Sequence, residues 1–449
     1  MKHLVPVLAL SAVSAASAVT LSIDSVKQRW PFSPKIDITF TVGETGGDFY
    51  RLKDFAIYDG NHQVALNGTA AFDNLKPVYS AGTYTLTFDP SKTALTNIVA
   101  VQHFRIGFDI SATPTRYLIV NLDKQVDEDG LVEYIDQGDP RLETFVQTVD
   151  YLDNGTPTQT TIQYSDAFLS LTNMTVSSGG KTASPYAINK MAFRLVKPGD
   201  YRVGKASVSS TYNSVTFTKP YFIAVGLLSR GQYGYIRYGS PWQTDTGTDG
   251  NAENQSKSKE IYLDDLRGPH NDPVYPVDWI TYGHSVCPTS FIGQARIKYG
   301  LAFDQPTEAQ WEVAARAGTT GFYYVDVNLT AENTDLLLKL GHEGGTNFNP
   351  FRKLANGWGL FDLLGWGQGV LDNAKSSDAG QVNNWVWPSG TDPVGAYTTW
   401  NGFCICKGGG HHAGLLEACG SRPTGLSRTK YVNWYDGGYN RVRLVINVD

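Results

Sequence analysis

The stretch Asp304-Gln305-Pro306-Thr307-Glu308-Ala309-Gln310-Trp311-Glu312-Val313-Ala314-Ala315-Arg316-Ala317-Gly318 constrains the fold more than any other part of the chain. Its punctuation predicts one short helix. Thr307 is placed to be the N-cap, and Gln310, three residues on, completes a capping box. Trp311, Ala314 and Ala315 fall at i, i+3 and i+4, one apolar face with a single large anchor. Arg316 suits the negative end of the helix, and Gly318 can take the left-handed C′ conformation. On pattern alone this is a structural helix pinned into a core by an indole.

The rest of the chain is more β-like. At 449 residues it has room for roughly two or three domains. Charged residues make up only 18%, aromatics 12%, and 46 residues are glycine, which suits a loop-rich, β-rich globular protein. A formal charge of −6 gives no argument for nucleic acid or for an acidic membrane surface as partner. Residues 1–18 have the build of a signal peptide: Lys2 and His3, an apolar run from Leu4 to Ala12, then Ala16-Ser17-Ala18 as a cleavage site. No later run approaches the ~18–20 apolar residues of a membrane span. The expectation is a secreted or cell-envelope protein whose mature chain starts at Val19.

From Val19 to Pro114 the signal has period two. Ile36, Ile38, Phe40 and Val42 alternate with polar residues, as do Tyr84, Leu86 and Phe88, and Phe104, Ile106, Phe108 and Ile110. Each set predicts a strand with one face on a core. Turn clusters between them predict an immunoglobulin-like β-sandwich over 19–114, a spacer rather than a catalyst. Residues 115–189 read as a linker or an extra β layer, with Tyr117–Leu122 as a strand. Asn67, Asn154 and Asn173 begin Asn-x-Ser/Thr triplets, which matter only in a host that glycosylates them.

Pro306-Thr-Glu-Ala-Gln-Trp-Glu-Val-Ala-Ala-Arg-Ala-Gly-Thr-Thr320 resembles the signature helix of the sulfatase-modifying-factor, or formylglycine-generating enzyme, family. Other stretches resemble the same family in the same order, over about residues 190–447 of a C-terminal domain at 190–449. Met191–Gly204 resembles its opening hairpin, turning at Pro198-Gly199, and Val215–Val225 the second strand. Leu228–Tyr233 stands at its Gln-Tyr helix start, and Pro273–Trp279 at its next core segment. Pro288 would then open a helix running to Tyr299, with Gly300 at its C′ end. Asn356–Gly365 is similar to its Asn-x-x-Gly-Leu-x-Asp-Met-x-Gly run. The resemblance implies a variant of the C-type-lectin fold, an α+β domain. The family includes oxidases and also domains that only bind ligands, so function has to come from the site.

The chemical motifs depart from the family. Its calcium-binding members use the Asn and Glu of Asn-Val-Trp-Glu-Trp as oxygen ligands, and this chain has Trp366 and Gly369 there, so that calcium site is lost. Cys406-Lys407-Gly408-Gly409-Gly410 resembles the Arg-Gly-Gly-Ser strand, and Cys419–Arg422 the strand after it. True formylglycine generators bind copper(I) with two cysteines in the intervening loop. Here that loop, His411–Ala418, has none. Cys406 and Cys419 are the only nearby thiols for a rearranged oxidase. His411-His412 beside Cys404, Cys406 and Cys419 lacks metal-ligand spacing, and adjacent residues on an extended chain point to opposite sides. Cys404 and Cys406, at i and i+2, share one strand face; with Cys287 and Cys419 they allow zero, one or two disulfides.

The favoured function is a non-catalytic binding or display module with no cofactor. Its ligand, a protein or a glycan, would sit on Trp400, Asn401, His411, His412, Arg422, Trp434, Tyr435 and Tyr439. These aromatics serve a core as readily as a ligand surface. The alternatives are a copper oxidase built on Cys406 and Cys419, and a structural envelope protein with no ligand.

Overall fold

The alternation in the N-terminal third becomes seven short strands around one core. The computed structural model describes residues 19–95, 104–178, 181–204, 212–239, 291–320, 323–325, 334–341, 350–365, 368–373, 388–394, 403–408, 428–433 and 441–448. The proposed signal peptide (1–18) and the Pro273–Trp279 and Pro288 segments lie outside the described residues. The chain is mostly β with a few helices and forms two compact units. The first is 1–139 with 298–300 and 448–449; the second is 140–297 with 301–447.

In the first unit the strands are β1 (Leu21–Gln28), β2 (Ile36–Val42), β3 (Leu52–Asp59), β4 (His62–Gln63), β5 (Phe72–Asp73), β6 (Gly82–Phe88) and β7 (Phe104–Ile110). They form a four-stranded sheet in the order β1-β2-β6-β5 and a three-stranded sheet in the order β4-β3-β7. The β2–β6 register sets Ile36 opposite Phe88, Ile38 opposite Leu86 and Phe40 opposite Tyr84. Ile36, Ile38, Phe40 and Val42 are all buried, as their period-two spacing requires. Both sheets feed one hydrophobic cluster. Phe40 of the first lies edge-on to Phe108 of the second, centroids 5.2 Å apart. Two further strands, β8 (Thr115–Asn121) and β9 (Val132–Asp136), pair antiparallel in the same unit. Asp136 ties β9 to β3's approach and to β8, accepting from Arg51 Nε at 3.2 Å and Thr115 Oγ1 at 2.9 Å.

The second unit opens on an antiparallel hairpin, β10 (Val146–Asp153) and β11 (Thr156–Gln163). Asn154 and Gly155 both have positive φ (49° and 80°), the geometry that Asn-Gly hairpin turns favour. A short pair follows, β12 (Val176–Ser178) and β13 (Lys181–Ala183), then β14 (Lys190–Val196), β15 (Gly199–Gly204), β16 (Tyr212–Phe217) and β17 (Tyr221–Ala224). Here the structure corrects the expected opening hairpin. The chain does turn at Pro198-Gly199, but β14 pairs with β17 and β15 with β16, so the turn passes the chain between sheets. The expected single strand Val215–Val225 is likewise broken between β16 and β17, where Pro220 has no amide hydrogen to donate.

Helix α1 (Arg230–Tyr238) starts in a complete capping box between Ser229 and Gln232. Then come α2 (Phe291–Tyr299), β18 (Phe303–Asp304), α3 (Glu308–Arg316) and α4 (Thr334–Leu340). The chain finishes with β19 (Gln368–Asn373), β20 (Gly390–Thr391), β21 (Phe403–Lys407), β22 (Arg428–Asn433) and β23 (Val445–Asn447). Strands β18, β23, β17 and β14 lie side by side, β20 extends β15–β16, and β21 is the middle strand between β19 and β22.

Candidate functional site

Helix α3 is the predicted signature helix, and it forms for the predicted reasons. The Thr307 hydroxyl accepts from Gln310 N at 3.1 Å, and Thr307 N donates to Gln310 Oε1 at 3.0 Å. At the other end Ala317 (φ 48°) and Gly318 (φ 89°) both take left-handed conformations. The structure adds what apolar periodicity hides: the helix has no water face along most of its length. Trp311, Ala314 and Ala315 are buried, and so are Glu308, Glu312 and Arg316.

Those buried charges form a closed cluster. Lys407, at the end of β21, is fully buried and its Nζ lies 2.7 Å from Glu312 Oε2 and 3.3 Å from Glu308 Oε1. Glu312 Oε1 accepts from Arg316 Nε at 2.8 Å and from Gly204 N at 2.8 Å, and Arg316 Nη2 donates to Gly204 O at 2.7 Å. The two groups of Gly204, at the end of β15, are thus clamped by one ion pair. Burial alone pushes the Glu312 carboxyl up, but Lys407 and then Arg316 outweigh it and hold it below the usual carboxylate range. Lys407 also sits 5.9 Å from the centre of the Trp311 ring, and the Arg316 guanidinium 5.7 Å from that of Tyr212.

The Asn356–Gly365 run is the second half of this frame. Asn356 is fully buried, and its Nδ2 donates to Ala314 O at 2.8 Å and Ala315 O at 2.9 Å, capping the last carbonyls of α3. Its Oδ1 accepts from Trp358 N and Leu360 N. Asp362 Oδ2 accepts from Phe351 N at 3.1 Å. Arg443 is fully buried and donates to Ala224 O at 2.7 Å and Phe361 O at 2.6 Å, with burial pushing its guanidinium down to about 10. Gly408, which follows Lys407, has φ 86°, and a Cβ there would lie 2.3 Å from Leu363 O. Its carbonyl accepts from Gly365 N at 2.8 Å, locking the two motifs together. Sequence reasoning gave no role to Glu308, Glu312, Lys407 or Arg443. The one available signal was the spacing of Glu308, Glu312 and Arg316, four residues apart on a single helix face.

Trp400, Asn401, His411, His412, Arg422, Trp434, Tyr435 and Tyr439 lie outside the described residues, as do Cys287, Cys419 and Trp366. Cys404 and Cys406 are on β21. Cys406 stands opposite Gly369 of β19 and Lys430 of β22, and Cys404 opposite Asn373 and Val432. Among the described residues no three His, Cys, Asp or Glu side chains converge as metal ligands would. Nor, among them, is any helix long and apolar enough to cross a membrane.

A β-rich unit joined to a second unit framed by a capped, charge-clamped helix is the class that these observations define. The sulfatase-modifying factor enzyme 1-like domain family matches residues 181–417, more than half of the chain, and the protein belongs to that family. Among solved structures it is similar to Treponema denticola variable protein 1, at 16% identity over 61% of this chain and 98% of that one, with a TM-score of 0.37. No curated protein matches it.

Proposed function

We propose that this is an exported binding or display protein, whose sulfatase-modifying-factor domain keeps the family frame without the family's oxidase chemistry. The observation that carries the reading is the buried cluster at Lys407. The motif polar groups of α3 and β21 are consumed in holding strands together, with Lys407, Glu308 and Glu312 all at 0–1% side-chain exposure. They are not available to a substrate. Two sequence facts point the same way. The loop 411–418 offers no thiolate pair to a copper(I) ion, and Gly369 has no side-chain oxygen for calcium. The residues present therefore do not fit either metal of the family.

In this reading the N-terminal unit is an immunoglobulin-like sandwich acting as a spacer, supported by two antiparallel sheets that share one core. The second unit is a C-type-lectin-like α+β domain. Its ligand, a protein or a glycan, sits on the loops bearing Trp400, Asn401, His411, His412, Arg422, Trp434, Tyr435 and Tyr439. The apolar run and Ala16-Ser17-Ala18 at the start of the chain support export. The test is copper(I) titration of the reduced chain under a competing chelator. Competition at the level of a protein lacking the Cys406 and Cys419 thiols is expected. Stoichiometric capture that disappears in Cys406→Ser or Cys419→Ser would install the oxidase reading instead.

A further inference from the structure

The most exposed large apolar side chain of the first unit stands at a hairpin tip. Phe32 is 95% exposed and Trp30, two residues away, is 48% exposed. Both sit at the apex of the β1–β2 hairpin, in Arg29-Trp30-Pro31-Phe32-Ser33-Pro34-Lys35. Leaving two neighbouring aromatics in water is unfavourable.

The backbone of the apex narrows the choice of partner. Pro31 and Pro34 have no amide hydrogen. Phe32 N donates to Arg29 O at 3.1 Å, Ser33 N to the same oxygen at 3.3 Å, and Lys35 N to Ser33 Oγ at 3.2 Å. The loop is closed below by Arg29 N on Lys35 O at 2.9 Å, and Gln28 Nε2 reaches Pro34 O at 3.4 Å. From Pro31 to Lys35, every amide either lacks a hydrogen or has it bonded inside the loop. From Pro31 on, the tip can therefore leave water without stranding a backbone donor, whereas Trp30 N, with no acceptor among the described residues, has to stay at the wet headgroup level. With Phe32 95% exposed, the tip is free to insert.

Charge sets the kind of medium. Behind the aromatics stand Lys27, Arg29, Lys35 and Lys92. Arg29 pairs with Asp37 at 2.7 Å, Lys35 and Lys92 share Asp73 at 2.6 and 3.1 Å, and Lys35 also meets the largely buried Asp89 at 3.7 Å. Lys27 is exposed and has no carboxylate partner among the described residues. Arg29 and Lys92 are also more exposed, at 46% and 44%, than the acids they meet, at 29% and 32%. The outward charge of this end is positive in a chain whose formal charge is −6. Aromatics at the tip with cations one level behind is the arrangement of an interfacial anchor.

We propose that the Trp30-Pro31-Phe32 apex is a reversible anchor for an anionic lipid surface, with Phe32 and Trp30 at the headgroup–acyl boundary and Lys27 and Arg29 facing the headgroups. The test is co-sedimentation of the full chain with vesicles of phosphatidylcholine, with and without phosphatidylglycerol. The wild type is expected to bind, and more tightly to the anionic vesicles. Phe32→Asp and Phe32→Ser should each lower the partition coefficient about tenfold or more, while Phe32→Leu, which keeps an apolar apex, should retain binding. Lys27→Glu should weaken binding about fivefold on anionic vesicles alone. Because Phe32 is 95% exposed, the three Phe32 variants should keep the wild-type Tm. Binding that persists in Phe32→Asp would place attachment elsewhere, the apolar run at residues 4–12 included, and overturn the proposal. So would absence of wild-type binding at millimolar lipid, or a Phe32-dependent self-association in its place.

Discussion

Replacing Lys407 by methionine keeps most of its volume and removes its charge, and the structure sets the cost. The cluster then holds two carboxylates and one guanidinium, all buried. Glu312 keeps Arg316 at 2.8 Å, but Glu308 loses the ammonium 3.3 Å away. Stranding a buried charge in this way typically costs about 3–5 kcal/mol. Urea unfolding followed by tryptophan fluorescence at neutral pH measures that number. The Tm should fall by roughly 6–20 °C, at roughly 2–4 °C per kcal/mol for a domain of this size. Adding Glu308→Gln to Lys407→Met should restore more than half of the loss. A penalty under about 1 kcal/mol, the size of an exposed ion pair, would refute the claim that this cluster is a dry, closed unit.

The same cluster fixes the sign of the acid response at Glu312. Its carboxyl is held below the usual range when folded, so its contribution is complete above the unfolded value and is lost as pH falls through the folded one. Glu312→Gln should therefore be less stable than wild type at neutral pH, with the gap closing below about pH 4 in urea titrations. Asn356→Ala leaves two carbonyls and two amides of α3 and its neighbour without partners and should cost at least about 3 kcal/mol by the same assay. Trp311→Ala empties a site that is 1% exposed and should cost about 3–5 kcal/mol. A thermal shift within a degree or two of wild type would show that α3 is not the organising helix.

How much was legible differs by element, for physical reasons. Helix α3 could be read because capping is local: Thr307 and Gln310 find each other within one turn, whatever the rest of the chain does. The strand from Ile36 to Val42 could be read because one buried face stamps period two on the sequence. What could not be read was pairing. Pro198-Gly199 marks a turn, but no local signal says whether β14 and β15 pair with each other or, as they do, with β17 and β16. The charge cluster was hidden for a related reason. A glutamate on a helix normally means water, and only the approach of Lys407, some hundred residues away in sequence, turns Glu308 and Glu312 into core residues. The departures at 411–418 and Gly369 were fully visible, because a missing thiol or carboxylate needs no fold to be noticed.

The central claim is that the frame persists without the oxidase. Its most direct test incubates the reduced chain with copper(I), oxygen and a peptide bearing Cys-x-Pro-x-Arg, and follows the cysteine residue by mass spectrometry. The account predicts an unchanged peptide mass under conditions where an authentic formylglycine generator converts it. Conversion of the cysteine to the aldehyde, abolished by Cys406→Ser or Cys419→Ser, would contradict it.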